Sequence, residues 1–97
     1  MHIITRRRLR EFWENDSQSH AALDEWYRRM KKLNAINLPE LHHIFPQADL
    51  VGKCTVFNIG GNKYRLITKI DFQRQTVYIR FVLTHSEYNK NRWKTDC

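Results

Sequence analysis

The sequence predicts an α+β fold: an N-terminal helical hairpin packed on one face of a small antiparallel β-sheet, with a short C-terminal helical segment. Two observations predict it. Apolar residues recur at helical spacing through the first half and at a spacing of two after Pro46. The later segments are joined by three or four residues, too few for the crossover that parallel strands need, so they form a meander. With 97 residues, 41% of them hydrophobic, the chain is expected to form one globular domain over residues 1–97.

His2-Ile3-Ile4 is a short β-prone opening, and Thr5 suits the N-cap of the segment after it. In Arg6–Glu14, Leu9, Phe12 and Trp13 fall at i, i+3 and i+4, the apolar stripe of a helix. Asn15–Ser19 breaks that helix with residues that favour caps and turns. A second helix runs to about Leu33, its core face made by Leu23, Trp26, Tyr27, Met30 and Leu33. Pro39 fits the first turn of a short third helix, and Pro46 ends it. Thr55–Ile59, Lys63–Asp71 and Thr76–Thr84 then read as strands. Gly60-Gly61-Asn62 tolerates the positive φ of a tight turn, and Phe72–Gln75 makes the next connection.

Alternation assigns the strand faces. Val77, Ile79, Phe81 and Leu83 are expected toward the helices, together with Tyr64, Leu66, Thr68 and Ile70. Arg65, Ile67 and Lys69 then share the uncovered face with Tyr78, Arg80, Val82 and Thr84, while Lys53 and Lys63 lie near its rim.

A net charge of +7 and a pI near 9.8 favour a polyanionic partner, nucleic acid above all. Residues 1–50 carry eight Lys/Arg against seven Asp/Glu, and residues 51–97 carry nine against three. The excess therefore belongs to the sheet half, where Arg65, Lys69 and Arg80 converge with Tyr78. Cations interleaved with an aromatic suit a single-stranded phosphate backbone and its bases. The same pattern also suits the ordinary solvated face of an antiparallel sheet. A DNA-binding module fits less well, because the basic stretch Arg6–Arg10 lies on a helix whose other face is core.

No apolar run approaches the length of a membrane span, so no membrane contact is expected. The opening MHIITRRRLR lacks the apolar stretch of a secretory signal, which makes a cytoplasmic protein the expectation. Cys54 and Cys97 have no Cys-x-x-Cys spacing and are expected to be free thiols. His42 and His43 diverge by about a hundred degrees on a helix and have no partner one turn on, so no metal or other cofactor is expected.

The last strand runs into THSEYNK (Thr84–Lys90). If that stretch is helical, His85 and Tyr88 share a face and overhang the basic surface. A histidine exchanges protons near neutral pH. RNA carries its own nucleophile, the ribose 2′-OH, so cleavage needs only a proton acceptor, a proton donor and a cation for the phosphorane. His85, Tyr88 and Arg65 are chemically sufficient. On pattern alone, His85 is equally an ordinary strand-end histidine.

TVFNIGGNKYRLI (Thr55–Ile67) and VYIRFVLTHSEY (Val77–Tyr88), with the opening MHIITRRRLREF, resemble the HigB-type toxins of the RelE superfamily. The resemblance spans essentially the whole chain. It implies a RelE-like fold and a bacterial toxin of a type II toxin–antitoxin pair, a metal-independent endoribonuclease that cuts mRNA on the translating ribosome. It implies a HigA-type antitoxin, a helix-turn-helix DNA-binding protein, as neutralising partner. Ribosomal RNA is then a second contact, and operator DNA a target only of the toxin–antitoxin complex. Residue by residue, it implies Arg65 as the group that stabilises the phosphorane and His85 as general acid, with the base left open. Tyr88 would orient the scissile nucleotide or help activate the 2′-OH. Lys63, Lys69 and Arg80 would bind RNA, and Lys53, Tyr78 and Lys90 complete the candidate RNA-binding set. Relatives commonly carry aspartate after the tyrosine, where this chain has Asn89, so a carboxylate beside His85 and Tyr88 is missing. The alternative reading is a non-catalytic RNA- or ribosome-binding regulator.

Overall fold

The computed structural model describes all residues, 1–97. In chain order it contains β1 (His2–Ile4), α1 (Arg6–Asn15), α2 (His20–Lys32), α3 (Leu38–Ile44) and β2 (Asp49–Val51). β3 (Cys54–Ile59), β4 (Tyr64–Asp71), β5 (Thr76–Thr84) and α4 (His85–Asn89) follow, with 3-10 turns at Ser17–Ser19 and Arg92–Asp96. The expected meander β3-β4-β5 is antiparallel throughout. Two short edge strands extend it beyond the sequence expectation: β1 lies parallel to β5, and β2 antiparallel to β3. The sheet is therefore five-stranded and mixed, in the order β1-β5-β4-β3-β2.

The helices follow their apolar stripes. α1 buries Leu9 and half-buries Phe12 and Trp13, while Arg7–Glu11 and Arg10–Glu14 pair one turn apart on its outer side. α2 buries Leu23, Trp26 and Met30 in the core that also holds Phe57, Ile59, Leu66, Val77 and Ile79. Thr5 occupies the N-cap of α1 through its backbone carbonyl, which accepts from the Arg8 N–H at 3.1 Å, and not through its hydroxyl. Asn37 caps α3 by accepting from the Glu40 N–H at 3.0 Å. The Tyr64 hydroxyl donates to Asp16 at 2.8 Å and ties β4 to the connection between α1 and α2. That hydrogen bond, with burial, raises the phenol's pKa.

One register shift changes the expected faces. Ile67 pairs with Phe81 and Thr68 with Ile79, so Arg80 is an extra residue in β5. A bulge of one residue reverses the alternation beyond it. Val77 and Ile79 lie under the helices as expected, but Phe81 and Leu83 turn to the opposite face and Val82 turns toward the helices.

That opposite face is not left open. Cys54, Val56, Ile67 and Trp93 form a second small core there, with Phe81, Leu83, Tyr88 and Cys97 packed around it. α4 and the Arg92–Asp96 turn fold back to supply the cover. The fold-back brings the Cα atoms of Cys54 and Cys97 to 5.2 Å, within bridging range, and the two are joined in a disulfide. The expectation of free thiols is thus corrected: residues 43 apart in sequence give no spacing signal that the tail returns to β3. Gly52 makes the return possible. It has φ +58°, and a Cβ there would come within 2.5 Å of the Cys97 carbonyl oxygen. The Lys53 N–H donates to that oxygen at 2.8 Å. No helix is long and apolar enough to cross a membrane.

Closing a loop of this length contributes about 2–4 kcal/mol through the unfolded state. Cys97→Ser is expected to lower the denaturant-unfolding free energy by that amount. A reducing agent should destabilise the parent similarly and leave the variant unchanged. An equal response of both proteins would show that the bridge contributes nothing.

Candidate functional site

The site begins where β5 stops. Thr84-His85-Ser86-Glu87 is a capping box: the Thr84 hydroxyl accepts from the Glu87 N–H at 3.2 Å, and Glu87 Oε1 accepts from the Thr84 N–H at 3.0 Å. Strand therefore passes directly into α4, and His85 is the first helical residue. Its backbone N–H donates to the Lys63 carbonyl at 3.1 Å, which fastens α4 to the turn that opens β4. The imidazole itself is exposed.

Tyr88, one turn on, is half-buried and makes three contacts. Its ring stacks on Trp93 at 4.9 Å with planes 15° apart, and the Arg65 guanidinium carbon lies 5.1 Å from its centroid. Its carbonyl accepts from the Trp93 indole N–H at 2.9 Å. Arg65 is only 9% exposed. Nη1 donates to the carbonyls of Asn62 and Tyr64 at 3.0 and 3.2 Å, and no carboxylate pairs with the group. Its Nε and Nη2 hydrogens remain uncommitted. A recessed guanidinium with spare donors and no internal counter-ion is suited to hold an anion.

Arg65, Tyr88, His85 and Lys63 are thus gathered at one end of the sheet face, with exposed Lys90 just past α4. The rest of the predicted set lies elsewhere. Lys69 is four residues from Arg65 along β4, about 13 Å at strand rise, and faces Tyr78 across the ladder. Lys53 is exposed in the turn between β2 and β3. Arg80 is not free: Nε and Nη2 donate to Asp96 at 2.6 and 3.1 Å, and Lys69 Nζ stands 3.9 Å from the same carboxylate. The expectation of an uncovered cationic face is corrected there, because the C-terminal turn brings its own anion. The Arg80 hydrogen bond, aided by the charges of Arg80, Lys69 and Arg8, holds Asp96 below the ordinary carboxylate value of 3.8.

Four residues at this face escaped the sequence reading. Phe81 and Leu83 were hidden by the phase reversal. Trp93 and Asp96 lie beyond the last predicted element, where no period marks them. A cavity of about 220 Å³ opens between them and α4, lined by Phe81, Leu83, Glu87, Lys90, Arg92 and Trp93.

Comparison with known proteins shows the family. A family model described as HigB_toxin, the RelE-like toxic component of a toxin-antitoxin system, matches residues 19–91. The mRNA interferase toxin HigB of Escherichia coli strain K12 is 34% identical over 92 residues, which span 92% of this chain and 88% of that protein. The mRNA interferase HigB of Shigella flexneri matches to the same extent. That of Escherichia coli O6:H1 is 29% identical over 93 residues, or 93% of this chain and 90% of the relative.

Asp96 gives the site a pH dependence of definite sign. Its folded-state pKa is depressed, so its contribution is fully present above the unfolded-state value and is lost as pH falls through the folded one. Acidification below 3.8 is expected to loosen the C-terminal turn, seen as a step in tryptophan emission. Asp96→Asn should abolish that step. A step of equal size in the variant would assign it to another carboxylate.

Proposed function

Because the chain belongs to the HigB toxin family, the RelE-like toxic component of a toxin–antitoxin system, we propose that it is an endoribonuclease that cuts mRNA on the ribosome. The observation that carries this reading is the recessed, unpaired Arg65 guanidinium against Tyr88, which lies one helical turn after the exposed His85. The curated relatives named mRNA interferases supply the substrate class.

In the reaction, the ribose 2′-OH attacks the adjacent phosphorus. A 2′-O–P bond forms, the P–O5′ bond breaks, and the products are a 2′,3′-cyclic phosphate and a free 5′-hydroxyl. The proton leaving the 2′-OH passes to a general base, a role left open, while Tyr88 orients the scissile nucleotide or helps to activate the hydroxyl. His85 donates a proton to the departing O5′. Arg65 meets the charge that builds on the non-bridging oxygens, with the two nitrogens it has not committed. The nucleophile belongs to the RNA, so the chemistry calls for no metal-bound water. Lys63, Lys90 and Lys53 are exposed cations for neighbouring phosphates. Lys69 and Arg80, both at the Asp96 carboxylate, and Tyr78, opposite Lys69 across the ladder, form a separate patch suited to ribosomal RNA. A HigA-type antitoxin neutralises the toxin in the cytoplasm, and the pair together binds operator DNA. Asn89, exposed on α4, provides an amide where a carboxylate would add charge.

Mapping mRNA 5′ ends after brief induction tests this reading. The parent is expected to produce new in-frame cuts. His85→Ala should lose about 10²–10⁴-fold in cleavage, and Arg65→Lys about 10²–10³-fold, since a point charge lacks the guanidinium fork. Cuts that persist in His85→Ala would move the proton to another donor. Ribosome association without cuts from the parent would leave a non-catalytic regulator.

A further inference from the structure

The cavity beside α4 takes no part in the chemistry above. Its floor is Phe81 and Leu83, turned outward by the extra residue at Arg80. Glu87, Arg92 and Trp93 also line it. Glu87 Oε1 is committed to the Thr84 N–H and hydroxyl, whereas Oε2 has no partner. Lys90 and Arg92 are exposed and form no ion pair.

This is the set of groups that a nucleobase needs. An apolar and aromatic floor receives the ring, one acceptor oxygen reads an N–H on its edge, and two cations meet the flanking phosphates. The volume of about 220 Å³ is below the roughly 300–1,000 Å³ of clefts for drug-sized ligands and suits a single heterocycle. The walls are preformed. The Trp93 indole is tied to the Tyr88 carbonyl at 2.9 Å, Asp96 to Arg80 at 2.6 Å, and Cys97 to Cys54. Tyr88 stacks on the Trp93 wall and touches Arg65 on the other side of the site, so the cavity adjoins the proposed phosphate position.

We propose that this cavity is a nucleobase subsite, which takes one base of single-stranded RNA beside the cleaved phosphate and selects a base with an exocyclic amino group. The position relative to the phosphate rests on the endoribonuclease reading; base capture by the cavity does not. Glu87 Oε2 accepts the amino hydrogen; uracil offers it only the ring N3–H, flanked by two carbonyl oxygens that repel the carboxylate, and is disfavoured.

Isotope-labelled protein is titrated with uridine hexamers, plain or with one central A, C or G, and followed by amide NMR. Shifts are expected at Phe81, Leu83, Lys90 and Arg92, with at least one amino-bearing hexamer bound about tenfold tighter than plain uridine, the worth of one charge-assisted hydrogen bond. Glu87→Gln retains the cap, since Gln also closes a capping box, and should reduce that preference to less than about twofold. Arg92→Ala should weaken all four hexamers alike, as a phosphate contact does. Shifts confined to Lys53, Lys63 and Lys69, or equal affinity for all four hexamers, would overturn the subsite. Base capture here without mRNA cuts in cells would sink the nuclease reading alone. Cuts without shifts in the cavity would sink the subsite alone.

Discussion

Everything distinctive about this sheet depends on the pairing of β4 with β5 and on the one residue by which they disagree in length. Arg80 has no partner across the ladder. Before it, β5 buries Val77 and Ile79 under α1 and α2; after it, the strand presents Phe81 and Leu83 to the far side. An apolar pair on a face expected to meet water needs cover. The C-terminal turn provides it through Trp93, and with Trp93 come the ring against Tyr88, the Asp96 carboxylate and the bridge to Cys54. The inserted residue thus adds Phe81 and Leu83 to a second core that Cys54, Val56, Ile67 and Trp93 build on that face.

The bulge also sets the electrostatics. A face carrying Arg65, Lys69 and Arg80 at regular spacing would be one continuous basic strip. Asp96 divides it. Arg65 keeps its donors, buried against Tyr88 and bonded only to carbonyls, while Arg80 and Lys69 are partly neutralised. A guanidinium held by neutral acceptors retains its full charge for an incoming phosphate, whereas one paired with carboxylate must exchange partners. Arg65 is therefore the stronger anion site despite its lower exposure.

Much of this was legible in the residues. The stripes of Leu9, Phe12 and Trp13, and of Leu23, Trp26 and Met30, located two helices, because burial on one side forces helical spacing. Gly60-Gly61-Asn62 located the β3–β4 turn, and all three residues do take φ between 60° and 75°. The phase of β5 beyond Arg80 was not legible. Phe81, Val82 and Leu83 are all apolar, so either phase satisfies the pattern. The C-terminal turn was not legible either, since Trp93 and Cys97 find their partners only through the fold. Of the candidate site, His85 and Tyr88 were read from the run that follows β5 and Arg65 from alternation, and Arg65 lies against Tyr88. Lys69 and Arg80 were read from alternation, which fixes a face but not a salt-bridge partner.

The hold on the C-terminal turn has three chemically separate parts, and their sizes decide what the site can withstand. The Cys54–Cys97 bridge answers to thiol reductants and is worth about 2–4 kcal/mol. The Arg80–Asp96 pair answers to acid. Trp93, only 3% exposed, answers to neither. Truncating a buried tryptophan costs about 3–5 kcal/mol, at least as much as the bridge. A reducing environment, where such disulfides are rarely maintained, would therefore remove a tether and leave the anchor. Trp93 is therefore expected to stay stacked on Tyr88 after reduction, keeping the wall shared by the cavity and the candidate catalytic tyrosine without the covalent link.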